Sequence, residues 1–216
     1  MAKEKVTLKD IKRTGAIMEG HFVGISGEHM PEYVVKDRIL EHPRLVEKVA
    51  KSMASRARRS HPEVAVGPAI GGAILAQSVA RELSRGRKNE VQAAYTEKVN
   101  DVQVLKRGYD EVVRGRRVVV IEDTVNTSKS IGETVLAVQN AGGHVTRAIS
   151  VLNRNKTNKE IAEKIGVPYS SLVKVPMKSY PEVDAPAELM AVPVNTKFGH
   201  GAAYVAKQRK KCLCYT

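Results

Sequence analysis

Val118-Val-Val-Ile-Glu-Asp-Thr-Val-Asn-Thr-Ser-Lys-Ser-Ile131 decides how the chain reads. With Arg117 before it, the run to Glu122 is continuous and apolar, as strands buried on both faces of a parallel sheet are. Such a strand carries Glu122 and Asp123 to its carboxyl end. Thr124, Asn126, Thr127, Ser128, Lys129 and Ser130 then precede a helix expected over 129–140. A turn of this kind aims hydroxyls and backbone N–H groups at an anion, and the helix N-terminus adds roughly half a positive charge. Two carboxylates repel a bare phosphate, so the guest should also present hydroxyls or a bound cation. A sugar phosphate has both properties, with its diol at Glu122 and Asp123 and its phosphate in the 124–130 turn.

Outward from that segment the pattern repeats. Glu63 to Val66 reads as a strand, Gly67-Pro-Ala-Ile-Gly-Gly72 as a turn, and Ala73 to Leu83 as a helix with Ile74, Leu75, Val79 and Leu83 on its buried side. Val91 to Tyr95 and Val145 to Leu152 are further strands. The polar stretch from Thr96 to Gly115 reads as either a mobile loop or a hairpin. Pro43 opens an amphipathic helix to about Arg58. Strands alternating with helices predict an α/β class, doubly wound with a mainly parallel sheet and flanking helices. In that architecture ligands bind at the carboxyl ends of the strands.

Thr7-Leu-Lys-Asp10 starts an N-terminal helix that Gly20 is expected to end, and His21 to Lys36 forms two extended segments about a turn at Gly27. Thr157 to Ile165 suggests a helix and Leu172 to Val175 a strand. Pro176, Pro181, Pro186 and Pro193 cut the remaining chain into short pieces, and the basic tail 207–216 lacks periodicity and is expected to be disordered.

The 216 residues hold 36 Lys+Arg against 23 Asp+Glu, a net charge of +13, with 42% apolar and 27% charged side chains. These values fit a globular chain rather than a disordered one. The longest uncharged run, Val64 to Ala80, is broken by Gly67, Pro68, Gly71 and Gly72. It falls short of the ~20 apolar residues that a membrane span requires. The N-terminus lacks an apolar h-region, so a cytoplasmic location is expected. Cys212 and Cys214 are read as reduced and incidental. The excess of cations raises the question of nucleic acid, but no aromatic residues interleave with the basic clusters to stack bases. A small anionic substrate exploits the same field. Gly67 to Gly72 fails the dinucleotide-binding spacing, and Thr127-Ser-Lys-Ser130 lacks the glycines of a P-loop.

The strand-acid-acid-loop-helix run resembles the phosphoribosyl pyrophosphate motif of the type I phosphoribosyltransferases. The chain as a whole is most similar to the orotate phosphoribosyltransferases among them. Gly20-His-Phe-Val-Gly-Ile-Ser-Gly27, with Tyr33 following, resembles the family's base-binding region, and Val66 to Gly72 its pyrophosphate loop. Leu105-Lys-Arg-Gly108 and Gly115-Arg-Arg-Val-Val-Val120 resemble the approach to the main motif. The matches keep their order over roughly 14–151.

The resemblance implies one phosphoribosyltransferase-like domain over 1–206, with a small base-binding hood from 1–40 and part of 170–206. It also implies a Mg2+-dependent transfer of ribose 5-phosphate from phosphoribosyl pyrophosphate to a nucleobase, most readily orotate, in a homodimer. On this analogy Glu122 and Asp123 hold the ribose hydroxyls, which help ligate the metal, so no side chain is assigned as a metal ligand. Thr124, Asn126, Thr127, Ser128, Lys129 and Ser130 surround the 5′-phosphate. Gly67, Pro68, Ala69 and Gly71 line the pyrophosphate. Asp123 with Lys98, Lys106 or Arg107 serves catalysis, the cations closing over the leaving group. Phe22, Ser26 and Gly27 contact the base. The family usually has Gly where Ser128 stands and a small residue where Lys129 stands. The alternative is a non-catalytic protein on the same fold that senses phosphoribosyl pyrophosphate or binds nucleic acid.

Overall fold

A computed structural model describes residues 5–154 and 157–213, apart from the side chains of 209 and 211–213. In chain order the elements are α1 (Leu8–Arg13), β1 (Ile17–Val23), β2 (His29–Val34), α2 (Asp37–Leu40), α3 (Pro43–Ala57), β3 (Val64–Pro68), α4 (Gly71–Ser84) and β4 (Gln92–Val99). They continue as β5 (Val102–Leu105), α5 (Tyr109–Val113), β6 (Arg117–Val125), α6 (Lys129–Asn140), β7 (His144–Asn153), α7 (Asn158–Ile165), β8 (Tyr169–Lys174), α8 (Ala187–Met190) and α9 (Gly201–Leu213). The described residues divide into two compact units, one of 5–10, 39–154 and 157–175, the other of 11–38 and 176–213.

The larger unit is built on a six-stranded sheet in the order β5-β4-β3-β6-β7-β8. Neighbours from β4 to β8 pair in parallel, and β5 alone runs antiparallel, against β4. The chain leaves β3 through α4 toward one edge and leaves β6 through α6 toward the other. The boundary between β3 and β6 is therefore the topological switch point, where a doubly wound sheet opens a crevice at its carboxyl edge.

Side chains alternate across the pleat. Val64, Val66, Val118 and Val120 pack with Ile131, Val135 and Val138 of α6, and Ile161 of α7. Each buried aliphatic side chain contributes about 1.5–3 kcal/mol, so β6, buried from Val118 to Asp123, is firmly seated. In α4, Leu75, Val79 and Leu83 are buried as expected. Ile74 is 43% exposed, a correction to its expected burial. It lies one residue from Leu75, about 100° around the helix, which turns it off the buried stripe.

The stretch 96–115 takes the hairpin reading. Asn100 and Asp101 at its tip have φ of 47° and 63°, the left-handed pair that a two-residue turn between strands demands and that Asn and Asp tolerate. Helix α7 begins with a capping box, Thr157 and Glu160 each bonding the other's backbone N–H, and the same reciprocal bonds join Thr7 and Asp10 at the start of α1.

The smaller unit contains the antiparallel ribbon β1–β2. Gly20 does not end a helix. It lies within β1 at φ 148°, where the register with β2 shifts between Glu19 and Phe22. The first helix stops earlier, at Arg13, and Gly15 adopts the left-handed φ of 69° that lets the chain turn into β1. The expected disorder after Lys207 is also corrected, since residues 207–213 continue α9. Tyr204 Oη and Gln208 Nε2 both donate to Glu182 Oε1, at 2.6 and 3.0 Å, which anchors a helix that has little apolar periodicity of its own. Cys214 and the Cys212 side chain lie outside the described residues. Among those described, no helix is long and apolar enough to cross a membrane.

Candidate active site at the sheet switch point

Strand β6 carries Glu122 and Asp123, 4% and 2% exposed, to the switch point. As neighbours on a strand they face opposite sides of the pleat. A Cβ built on Gly71 would lie 1.9 Å from Asp123 Oδ2, so only glycine lets the start of α4 come this close to the carboxylate. Glu122 pairs in register with Ser150 of β7, whose Oγ is hydrogen-bonded to the Tyr169 hydroxyl on β8. Burial, and then the negative charge of Glu122, push the Tyr169 hydroxyl up to about 12, against hydrogen bonds that lower it. Tyr169 therefore stays a neutral hydrogen-bonding group beside that acid.

The 67–72 loop folds tightly on itself. A Cβ on Gly67 would meet Gly72 O at 2.2 Å, and one on Gly72 would meet the Pro68 ring at 2.6 Å and Ile121 O at 2.9 Å. Gly67 and Pro68 are buried in β3, whereas Ala69 and Ile70 are exposed. The Ala69 N–H already donates to Thr96 O at 2.8 Å. Donors for an anion here thus come from the first turn of α4, whose amides have no acceptor within the helix.

Helix α6 starts across the crevice at Lys129, after Ser128 with φ 65° and ψ 10°. Glycine adopts this left-handed conformation freely, whereas for other residues it costs roughly 1 kcal/mol or more. Ser128 is 4% exposed, and its Oγ is buried without a hydrogen-bond partner among the described residues. Thr124 Oγ1 shares that condition. Asn126, Thr127 and Lys129 are exposed, and Ser130 is half-buried. Lys129 forms an i,i+4 ion pair with Glu133 at 3.7 Å. The turn thus gathers every residue expected in it, with two hydroxyls lacking acceptors and donors of their own.

Of the three cations expected to close over the site, two have carboxylate partners. Lys98 pairs with Asp101 at 2.7 Å at the hairpin tip, and this contact raises the Lys98 ammonium and lowers the Asp101 carboxyl from their ordinary values. Arg107 pairs with Glu97 at 2.6 Å. Lys106 is exposed and has no ion pair among the described residues. The hairpin lies along α6, with Gln103 N–H donating to Glu133 Oε2 and Thr96 bonded to Thr134.

In the smaller unit, Ser26 and Gly27 are exposed at the β1–β2 turn. Phe22 is fully buried and stacked on Tyr33 with ring centroids 5.3 Å apart.

Two supporting residues escape sequence reasoning. Lys164, on α7, donates to Thr127 O at 2.7 Å and steadies the turn from outside the motif. Tyr169 reaches Ser150 from the neighbouring strand. Neither has a local signature, because each contact depends on strand order. Among the described residues, no cluster of three or more His, Cys, Asp or Glu is placed to hold a metal ion.

Comparison with known proteins fits this geometry. The profile of the phosphoribosyl transferase domain matches residues 35–173. The chain is 33% identical over 194 residues to an orotate phosphoribosyltransferase of Caldanaerobacter subterraneus subsp. tengcongensis, covering 90% of this chain and 96% of that protein. It is 36% identical over 185 residues to one of Bartonella henselae, covering 84% and 90%. Among solved structures, the Mycobacterium tuberculosis H37Rv orotate phosphoribosyltransferase in complex with Fe(III) dicitrate shares the fold. Its TM-score is 0.64 at 24% identity, over 77% of this chain and 93% of that one. A profile spanning β3 to β8, joined by relatives above 30% identity along nearly their whole length, leaves one assignment: the chain belongs to the phosphoribosyl transferase domain family.

Proposed function

We propose that the chain transfers ribose 5-phosphate from phosphoribosyl pyrophosphate to a ring nitrogen of orotate. The bond from the anomeric carbon to the pyrophosphate oxygen breaks and its bonding pair leaves with pyrophosphate, while a carbon–nitrogen bond forms and the ring nitrogen releases its proton to solvent. The observation that carries this reading is the pair of helix N-termini, α4 and α6, on either side of two buried carboxylates at the switch point. Each helix start favours an anion, and the donor molecule has two, its pyrophosphate and its 5′-phosphate. The acids between them accept from ribose hydroxyls and stabilise positive charge developing at the anomeric carbon.

Asp123 and Glu122 hold the sugar; Thr124, Thr127, Ser128 and Ser130, with the α6 amides, hold the 5′-phosphate. The start of α4 beyond Gly67 takes the pyrophosphate. Lys106 offsets charge on the leaving group, since Lys98 and Arg107 already have carboxylate partners. Ser26 and Gly27 remain the residues assigned to the base. An oxygen-only donor set suits Mg2+, which is bound as a rule by one or two carboxylates together with substrate phosphates. When bound it supplies charge neutralisation of the pyrophosphate. The relatives bear the names of enzymes and give no support to a non-catalytic sensor or a nucleic-acid binder. A homodimer remains part of the proposal on family resemblance.

The test is loss of orotate absorbance with Mg2+ and phosphoribosyl pyrophosphate. Asp123→Asn is expected to lower kcat/KM by about 100-fold with an unchanged far-UV spectrum. Failure to consume orotate, or equal turnover in the variant, overturns the assignment.

A further inference from the structure

The amino ends of β3, β4 and β6 frame a cavity of about 640 Å³. It lies at the edge of the sheet opposite the catalytic crevice, and the proposed reaction makes no use of it. Three connections of the larger unit supply its walls: His61 and Glu63 before β3, the 87–91 segment before β4, and Arg116 with Arg117 at the start of β6. Four cationic side chains, Arg87, Lys88, Arg116 and Arg117, meet two carboxylates, Glu63 and Glu90. Arg117 already pairs with Glu63 at 3.4 Å, which leaves the lining positive.

The arginines are fixed rather than loose. Arg87 Nη1 donates to Pro62 O at 2.7 Å, Arg117 Nε donates to His61 O at 2.8 Å, and Arg116 Nη1 is hydrogen-bonded to Gln92 Oε1. Each guanidinium carries several donors, so these contacts orient the group and leave further N–H groups for a ligand. Backbone carbonyls orient a cation without cancelling its charge. Lys88 is exposed and has no ion pair among the described residues.

We infer that this cavity is a second anion site, which binds a small polyphosphate such as the phosphate chain of a nucleoside triphosphate. Its volume lies within the ~300–1,000 Å³ of small-ligand pockets. Multiple cations on separate walls match a ligand with several phosphates better than a single orthophosphate. The cavity's own residues carry the inference, which stands whether or not orotate is the base.

The test follows backbone amide resonances of the full chain during titration with inorganic tripolyphosphate and, separately, with ATP, in 150 mM salt. Saturable shifts are expected at His61, residues 87–91, Arg116 and Arg117. Arg87→Gln is expected to weaken them more than about tenfold, as loss of a hydrogen bond to a charged group does, with the KM for phosphoribosyl pyrophosphate unchanged. Lys88→Gln, which removes no contact within the fold, is expected to weaken them as well, and so separates ligand loss from misfolding. Response to both ligands locates recognition in the phosphate chain, and response to ATP alone adds the nucleoside. Shifts confined to the 122–131 region, or a linear and unsaturable response at the cavity, overturn the inference.

Discussion

Replacing Ser128 by glycine is expected to stabilise the protein and weaken its grip on the donor substrate. At φ 65° the serine backbone costs roughly 1 kcal/mol that glycine does not. Its buried, unpartnered Oγ adds about 1–3 kcal/mol of desolvation without compensation. Against these, glycine gives the unfolded chain extra freedom worth about 0.5–1 kcal/mol, and loss of the hydroxyl leaves a small void. The balance favours Ser128→Gly by about 1–2 kcal/mol. For a chain of this size each kcal/mol moves Tm by roughly 2–4 °C, so calorimetry without ligand should show a rise of about 2–8 °C. In exchange, the proposed hydrogen bond to the 5′-phosphate disappears and KM for phosphoribosyl pyrophosphate rises, by about tenfold for a bond of this class. An unchanged or lower Tm refutes the strain argument. A raised Tm with unaltered KM refutes the phosphate contact while leaving the strain intact.

Three further perturbations have defined outcomes. Gly71→Ala places a methyl 1.9 Å from Asp123 Oδ2 and is expected to abolish measurable turnover and destabilise the fold; full activity in the variant refutes the close approach. Ser26→Ala is expected to raise KM for orotate and not for phosphoribosyl pyrophosphate in steady-state assays. His29 is fully buried, with its Nδ1 2.6 Å from His21 Nε2 and its ring edge-on to Tyr204. Burial first and His21 second lower its imidazolium below the usual histidine range, with Glu182 opposing. The unfolded chain then takes up the proton more readily. Stability from His29 is full above ~6.5 and is lost as pH falls from there through the depressed folded value. Urea midpoints at pH 7.5, 6.5 and 5.5 should fall more steeply for the native protein than for His29→Gln; parallel profiles refute this.

The catalytic half of the fold is legible wherever local signals agree. The apolar run ending at Glu122, the helix over 129–140 and the helix start at Thr7 with its capping acid Asp10 each follow from short-range pattern, and the structure places all three as read. Ser128 stands out in the sequence as a departure from glycine, and its left-handed backbone is the physical form that departure takes. Long-range terms hide the rest. The role of Gly20 depends on its pairing with β2, since a glycine that stops a helix and one that sits at a strand irregularity are alike in isolation. The ion pairs that occupy Lys98 and Arg107 exist because the hairpin brings partners from β4 and the tip alongside them. The support that Lys164 and Tyr169 give the site exists because α7 and β8 fold back along the sheet.

The opposite facing of Glu122 and Asp123 makes them unequal despite their adjacency. Asp123 abuts the start of α4 through Gly71, while Glu122 shares its side of the sheet with Ser150 and, through it, Tyr169. A repacking along β7 and β8 therefore reaches Glu122, and one along α4 reaches Asp123. Engineering either flank retunes a single carboxylate, so the two hydroxyl contacts proposed for this pair can be loosened one at a time.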